Sequence, residues 1–274
     1  IPKDRFALGS YQYLRYPFSY FLDTAVELEI RNVELWAAGP NFCLDIMDEG
    51  QLREKAAELR TRELSVCCIT PEQCQYPVNL AAEDGRIREY SIRNFERAFR
   101  TAEMLECPNV LVSAGCGYFN RPVEEAWKRS EESLYRLSEK AQSMGILLVL
   151  ETLTPLSSNV LNTPEQQREM ISHMPPGSMK PMLDIGQMVY MEQDLEQYLA
   201  HGKELAHVHL HDSHPAIHMA LGDGDVPICK YLSALEASGY RGMYALEQND
   251  PVYRKDPRRA DVQSVTWLME HGVF

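Results

Sequence analysis

The chain has 274 residues, of which 24% are charged, and a formal net charge of −13. This length is sufficient for one large hydrophobic core. The acidic balance, with no run of Lys and Arg, excludes an extended nucleic-acid-binding surface. We therefore expect residues 1–274 to form a single soluble domain without a nucleic-acid partner.

The cysteines and the hydropathy pattern predict a cytoplasmic protein. The seven cysteines form no Cys-x-x-Cys pair, and Cys67 and Cys68 lie inside an apolar run. These features are typical of reduced, mostly buried thiols. No apolar stretch reaches membrane-spanning length, and the first residues lack the pattern of a signal peptide. We expect no membrane partner.

The first half of the chain alternates short apolar strands with amphipathic helices. Helices are expected where apolar residues recur at three- and four-residue spacing, or where helix formers dominate without proline. These helices are predicted at about 18–28, 49–63, 87–105 and 123–144. The strands between them are predicted at 5–9, 32–36, 65–69 and 109–113.

The second half repeats the alternation, beginning with the apolar run 146–150 that ends at Glu151. Such continuous apolar strands are typical of parallel sheets, whose two faces are both buried. Three more strands end at Asp184, His211 and Glu247, and helices are expected after Thr163 and at 194–201, 227–237 and 257–270. Eight strand–helix units without a hairpin signal predict an α/β fold, a closed (β/α)8 TIM barrel rather than an open sheet.

Four of these strands end in side chains that can bind a metal. The C-terminal ends of the strands form the active site of a TIM barrel, so Glu151, Asp184, His209 and Glu247 should meet at one mouth. One carboxylate after a strand is often only a cap, but four aligned strand ends indicate a metal centre. Three carboxylates and one imidazole suit one divalent ion, Mn²⁺ first, with Co²⁺, Ni²⁺, Mg²⁺ or Zn²⁺ as alternatives.

Five of the eight histidines lie between positions 207 and 218. Alternate residues of a strand share a face, so the side chains of His207, His209 and His211 should point the same way. We interpret His209 as the ligand, His207 as a hydrogen-bonded core residue and His211 as loop-exposed. His218 precedes the turn at 222–225, whose glycines permit a tight bend, and is a candidate substrate contact.

These strand ends and the Gly-Asp-Gly-Asp turn resemble the sugar phosphate isomerase/epimerase family of xylose isomerase-like TIM barrels over nearly the whole chain. Segments 69–72, 76–79, 150–155 and 158–160 are most similar to its fructoselysine 3-epimerase and ketose 3-epimerase branch. The resemblance implies that Glu151 and Glu247 bind the metal and flank the substrate carbon as paired acid/base groups. It implies an isomerase whose partner is a small carbohydrate.

The residues expected to hold the substrate depart from the family pattern. Ketose 3-epimerases place a Glu six residues after the first ligand, a His three after the Asp, and an Arg four before the first glycine of the turn. Here these positions hold Ser157, Gln187 and His218. We interpret all three as substrate contacts, so the carbonyl chemistry is better defined than the sugar.

Aromatic side chains near the first two strands are candidates for excluding water from the site, although core packing is their commoner role. Trp36 is the one we assign to the substrate-binding set. The others are Tyr11, Tyr13 and Phe18.

Three alternatives to a 3-epimerase remain. Related barrels use such a metal site to eliminate the aglycone from 3-keto C-glycosides, and this lyase would work with a small partner subunit rather than as a possible homo-oligomer. Endonuclease IV shares the barrel but adds histidines after strands three and four, where segments 70–72 and 113–116 offer none. A barrel that only binds a sugar is the third alternative.

Overall fold

The computed structural model describes residues 1–73, 77–200 and 204–274. In chain order the strands are β1 (Phe6–Gly9), β2 (Asn32–Trp36), β3 (Ala38–Gly39), β4 (Phe42–Cys43), β5 (Ser65–Thr70), β6 (Asn109–Val112), β7 (Leu147–Leu150), β8 (Met179–Asp184), β9 (His207–Leu210) and β10 (Met243–Leu246). All except β3 and β4 pair in parallel and close into a barrel in the order β1-β10-β9-β8-β7-β6-β5-β2. The predicted (β/α)8 TIM barrel is confirmed.

One small hairpin has no counterpart among the predicted elements. β3 and β4 pair antiparallel directly after β2, with Ala38 opposite Cys43 and Gly39 opposite Phe42. Strands of two residues are too short to show a periodic pattern, which explains why the sequence did not reveal them. The Asn41 side chain fixes the turn by donating to the carbonyl of Tyr13 at 2.9 Å.

The helices follow the strands as predicted, with two differences. A short helix, α6, begins directly after β8 and was not predicted, and the prediction at 194–201 is realised as α7 up to residue 199, with residue 201 outside the described ranges. The helices are α1 (Phe18–Glu27), α2 (Glu49–Thr61), α3 (Gly85–Met104), α4 (Val123–Ser143), α5 (Pro164–Ser172), α6 (Ile185–Tyr190), α7 (Leu195–Leu199), α8 (Ile228–Ala237) and α9 (Pro257–Glu270). Among the described residues, none of them has the length and apolar character needed to span a bilayer.

The barrel has two apolar layers. Residues that alternate along the strands form a small cluster of their own, which includes Ala7, Cys68 and Val149, whereas the residues between them, such as Leu8 and Leu148, belong to the large cluster shared with the helices. Because this small cluster is apolar, the polar groups at the C-terminal strand ends lie next to a hydrophobic layer. That residues 1–274 form one domain stays a prediction.

Candidate metal centre and active site

The four side chains predicted as ligands meet at the C-terminal mouth of the barrel. Asp184 ends β8 and pairs with His209 of β9, while Glu151 and Glu247 directly follow β7 and β10. These four strands are neighbours in the barrel. No more than 6% of the surface of any of the four residues is exposed.

Carboxylate oxygens surround one nitrogen of His209. Its Nδ1 lies 2.8 Å from Glu247 Oε2, 3.7 Å from Glu151 Oε1 and 3.8 Å from Asp184 Oδ2. Among the described residues, neither His209 Nδ1 nor Glu247 Oε2 has a hydrogen-bond partner, although both are buried. Ligand atoms of Glu151, Asp184 and His209 all lie within 4.8 Å of one another. One nitrogen with several carboxylate oxygens is a donor set that fits a divalent ion.

Gln187 of α6 contacts two of these carboxylates. Its Nε2 donates to Glu151 Oε1 at 2.9 Å and to Asp184 Oδ2 at 3.1 Å. Its backbone N–H donates to Asp184 Oδ1 at 2.7 Å, which makes Asp184 the N-cap of α6. The Gln187 side-chain oxygen accepts from the N–H of Thr154 at 3.3 Å. The amide therefore orients the carboxylates of the site, and a contact with substrate stays a prediction.

Glu34 of β2 is a site residue that the sequence analysis did not identify. Its Oε1 lies 2.9 Å from His209 Nε2 and its Oε2 lies 2.7 Å from His207 Nε2. Because a carboxylate only accepts, His209 Nε2 carries a hydrogen, and Nδ1 is the ring nitrogen that faces the other carboxylates. The available signal was a single acidic residue inside the apolar strand Asn-Val-Glu-Leu-Trp. The prediction that His207 is a hydrogen-bonded core residue is confirmed.

The prediction that His211 is loop-exposed is wrong. His211 is fully buried, and its Nε2 lies 2.7 Å from Asp184 Oδ1. Its Nδ1 lies 3.1 Å from the backbone N–H of His218. Although β9 ends at Leu210, the alternation of side chains continues for one residue, so His211 turns inward like His209.

His218 faces the mouth from the loop that follows β9. It adopts a left-handed conformation, with φ of 60°, and its Nδ1 lies 3.6 Å from Glu247 Oε2. The glycine-rich turn after it is organised by Asp212, whose carboxylate accepts from the backbone N–H groups of Gly222 and Val226, each at 2.9 Å. The turn is thus held by a structural carboxylate, and His218 is left beside the candidate ligands.

The remaining candidate residues lie in three different surroundings. Trp36 stacks on Tyr11, with ring centroids 4.7 Å apart, and burial together with the charges of Glu247 and Glu151 raises the pKa of Tyr11 well above its ordinary value. Tyr11 is therefore near these two carboxylates, and a contact of Trp36 with substrate stays a prediction. Tyr13 and Phe18 instead pack in the core. Ser157 is exposed in a turn closed by its N–H on the carbonyl of Thr154 at 2.9 Å.

Buried negative charge dominates this end of the barrel. Burial, with repulsion from Asp184 and Glu247, raises the pKa of Glu151 well above its ordinary value in spite of the opposing effect of His209. Burial acts on Asp184 in the same direction, but His211 and His209 outweigh it and hold its pKa well below the ordinary value. Within the described ranges no buried residue is Lys or Arg, so a cation bound here would stabilise the site.

Comparison with known proteins identifies the class to which this barrel belongs. The model of the xylose isomerase-like TIM barrel family matches residues 22–271. Fructoselysine 3-epimerase of Shigella flexneri is 27% identical over 247 residues, which cover 89% of each chain. Several other curated relatives are ketose 3-epimerases.

Solved structures share the fold at lower sequence identity. The 3-keto-D-glucoside 4-epimerase from E. coli superposes with a TM-score of 0.82 at 18% identity, covering 97% of this chain and 99% of its own. The IOLI protein, solved with a bound zinc atom, has a TM-score of 0.82 at 19% identity and 97% coverage of both chains. These likenesses confirm the barrel and carry no argument about substrate.

The chain belongs to the xylose isomerase-like TIM barrel family. The predicted resemblance is confirmed, and the relatives that carry it are sugar epimerases, which are isomerases. The described residues include groups that could hold a metal ion, as expected from the sequence.

Proposed function

We propose that this chain is a metal-dependent sugar epimerase whose ion is bound by Glu151, Asp184, His209 and Glu247. The observation that carries the proposal is the buried His209 Nδ1, which has no hydrogen-bond partner among the described residues and lies 2.8 Å from Glu247 Oε2. Glu34 accepts the hydrogen on Nε2 and so presents the Nδ1 lone pair as a ligand. The hard oxygen donors favour Mn²⁺ as the physiological ion, with Co²⁺, Ni²⁺, Mg²⁺ or Zn²⁺ as substitutes.

Glu151 and Glu247 would form the acid/base pair. When bound, the ion supplies positive charge beside a carbonyl group, which makes the hydrogen on the adjacent carbon more acidic. One glutamate removes that proton and the other returns one to the opposite face, which inverts the carbon. The arrangement supports this division because β7 and β10, which precede the two glutamates, are separated by β8 and β9 in the barrel, so the carboxylates approach from different sides.

The substrate class that we propose is a ketose or a fructosamine-type sugar, inverted at carbon 3. Support comes from the relatives named as fructoselysine 3-epimerase and ketose 3-epimerase. Gln187 and His218 would contact the sugar at the mouth, with Ser157 at its edge and Trp36, stacked on Tyr11, excluding water. Because the positions of Ser157, Gln187 and His218 differ from the ketose epimerase pattern, we rank a fructosamine-type sugar ahead of a simple free ketose.

We place the protein in the cytoplasm, acting on a small carbohydrate with no nucleic-acid or membrane partner, and expect a homo-oligomer. The six cysteines in the described ranges are all free, with Cys67 and Cys68 buried, which supports a reducing compartment. The seventh, Cys74, lies outside those ranges. A small partner subunit would replace the homo-oligomer if the reaction were elimination.

The reaction in D₂O tests the proposal. Mn²⁺-loaded enzyme is incubated with fructoselysine, psicose, fructose, tagatose and a 3-keto C-glycoside, and the products are analysed by NMR. Epimerisation places one solvent deuterium on the inverted carbon and leaves the carbon skeleton intact. Release of an aglycone would replace our proposal with the lyase. Absence of exchange with every substrate would favour a binding protein.

The matched control for that experiment is the double variant Glu151→Gln, Asp184→Asn. We expect it to bind less than a tenth of the metal bound by the wild type and to show no exchange, because two ligand charges are removed. Full metal content with full activity in this variant would contradict the assigned ligands.

A further inference from the structure

We propose that His211 is a positioning residue that fixes the carboxylate of Asp184 for metal binding, and that Gly186 exists to make room for its ring. The inference rests on the proposed metal centre and extends it to two residues that lie outside the ligand set. His211 is completely buried, and its ring lies between Asp184 Oδ1 and the backbone N–H of His218.

The direction of the hydrogen bond follows from the partners. Asp184 Oδ1 accepts from the backbone N–H of Gln187 at 2.7 Å, and the same oxygen lies 2.7 Å from His211 Nε2. Because an ionised carboxylate has no hydrogen to give, His211 Nε2 must donate, whether or not Nδ1 is also protonated. Oδ1 is then held by two donors, and Oδ2 is the oxygen that is turned toward His209 Nδ1, 3.8 Å away.

Gly186 is what allows the His211 ring to reach Asp184. A Cβ atom at position 186 would lie 1.9 Å from His211 Cε1 and 2.1 Å from His211 Nδ1. These distances are far inside van der Waals contact, so an alanine would displace the ring. Glycine inside a helix is less favourable than alanine, and Gly186 lies within α6. The contact with His211 is the feature that accounts for a glycine here.

The same bonds argue against a second ion at this place, although ligand atoms of Asp184, His211, His218 and Glu247 lie within 4.8 Å of one another. His211 Nε2 meets Asp184 in hydrogen-bond geometry, and His211 Nδ1 lies 3.1 Å from both the Asp212 carbonyl and the His218 N–H. Both ring nitrogens are therefore engaged. In contrast, His209 Nδ1 lacks a hydrogen-bond partner within the described part of the chain.

A double-mutant cycle on metal-free protein tests the assignment. Mn²⁺ is titrated calorimetrically into the wild type, Gly186→Ala, His211→Ala and the double variant, with thermal unfolding of each metal-free protein as the check on folding. Loss of an outer hydrogen bond to a ligand typically weakens metal binding 10- to 100-fold. We expect a loss of about that size for each single variant and no further loss in the double variant, since both changes remove one contact.

Two further variants separate positioning from simple packing. His211→Gln keeps an N–H donor and should bind Mn²⁺ more tightly than His211→Met, which has a similar volume and no donor, whereas a purely structural role would not distinguish these two variants. Gly85→Ala is the matched control, because Gly85 is also helical and the nearest atom to its added Cβ is 3.7 Å away. It should bind Mn²⁺ as the wild type does.

The outcomes that overturn the inference are distinct from failure of the metal centre. Multiplicative losses in the double variant, or wild-type affinity in His211→Ala, would show that His211 does not position Asp184. Two Mn²⁺ ions per wild-type chain, with one lost in His211→Ala, would make His211 a ligand. No Mn²⁺ binding by the wild type would refute the metal centre itself, and this inference with it.

Discussion

The two ends of the barrel neutralise partly or fully buried charged groups in different ways. At the N-terminal end the Arg5 guanidinium lies 2.6 and 2.8 Å from the two oxygens of Glu236 and donates to the carbonyl of Gly242 at 2.9 Å. Tyr240 and Tyr244 cover it, with their ring centroids 5.4 and 5.2 Å from its central carbon. At the C-terminal mouth the carboxylates are more numerous, and within the described chain they pair with imidazoles rather than with Lys or Arg.

This difference separates stability from function. A buried charge without a partner costs several kcal/mol, so the arginine pair completes its own site and needs nothing from outside. The mouth carries Glu34, Glu151, Asp184 and Glu247 in buried positions, and excess negative charge of this kind is retained at functional sites rather than for stability. If so, substitutions at the mouth should reduce activity without unfolding the protein, and substitutions at the other end should do the reverse.

The largest expected effect is on Glu151. Glu151→Gln removes an acid/base group, which typically contributes 10²- to 10⁴-fold to the rate, and we expect a loss of turnover of about 10³-fold. The metal-free protein should unfold at the same temperature or higher, because a buried carboxylate near Asp184 and Glu247 has been neutralised. Steady-state rates and calorimetry measure both. Glu132→Gln, on the exposed face of α4, is the control, and equal activity in both variants would contradict the proposed role.

A smaller effect, on metal affinity, is expected from substitution of Glu34, which contacts the proposed ligand His209. Glu34→Gln keeps the shape, but its single carbonyl oxygen cannot accept from both His207 and His209, which now bond to separate carboxylate oxygens. Loosening a ligand imidazole should weaken Mn²⁺ binding by about 10- to 100-fold. Titration of the metal-free protein measures it. Glu63→Gln is the control, because the Glu63 side chain is 82% exposed, and it should bind Mn²⁺ as the wild type does. Unchanged Mn²⁺ affinity in Glu34→Gln would show that Glu34 does not support the metal centre.

Arg5 tests the other end of the barrel. Arg5→Met should lower the free energy of unfolding by about 1–2 kcal/mol, less than the 3–5 kcal/mol of a fully buried pair, because the side chains of Arg5 and Glu236 are 15% and 28% exposed. kcat/KM and metal affinity should not change. Arg86→Met is the control, since Arg86 is 92% exposed and exposed pairs contribute little. An Arg5→Met variant that is as stable as the wild type but inactive would contradict the proposed separation of stability and function between the two ends of the barrel.

The barrel and the convergence of the strand-end side chains could be predicted because both depend on local patterns. Apolar runs and helical spacing identify the units, and the parallel order of the strands then brings Glu151, Asp184 and Glu247 to one mouth. The partners of the histidines could not be predicted in this way. Glu34 is 175 residues from His209 along the chain, and which imidazole reaches which carboxylate depends on strand register and tilt, which the sequence pattern does not specify.

The role of His211 was missed for a related reason. Its burial depends on α6, a helix of six residues that is too short to show a period and contains the poor helix former Gly186. Gly186, which makes this helix difficult to recognise in the sequence, is thus also the residue that leaves room for the His211 ring.

Another buried carboxylate, Asp261, pairs with no Lys, Arg or His among the described residues and lies outside the candidate metal-binding groups. It is completely buried in α9 and accepts hydrogen bonds from Tyr13 Oη and, at 3.0 Å, from Gln12 Nε2. Burial raises the pKa of Asp261 from 3.8 to about 7, and the hydrogen bonds from Tyr13 and Gln12 only partly oppose this shift. A proton therefore neutralises Asp261, as the Arg5 guanidinium neutralises Glu236 at the N-terminal end of the barrel.

The pH dependence of the free energy of unfolding should differ between the wild type and Asp261→Asn. The folded state holds the proton of Asp261 more tightly than the unfolded chain does, so its contribution is complete below pH 3.8 and is lost as the pH rises through 7. Across that window the free energy of unfolding of the wild type should fall relative to the variant by at most about 1.4 kcal/mol per pH unit, and above it the difference should be constant. Urea unfolding at a series of pH values measures it, with the exposed Asp4→Asn as control. A difference between wild type and Asp261→Asn that does not change with pH would mean that Asp261 is ionised in the folded protein throughout, and that its hydrogen bonds with Tyr13 and Gln12 suffice to hold a buried charge.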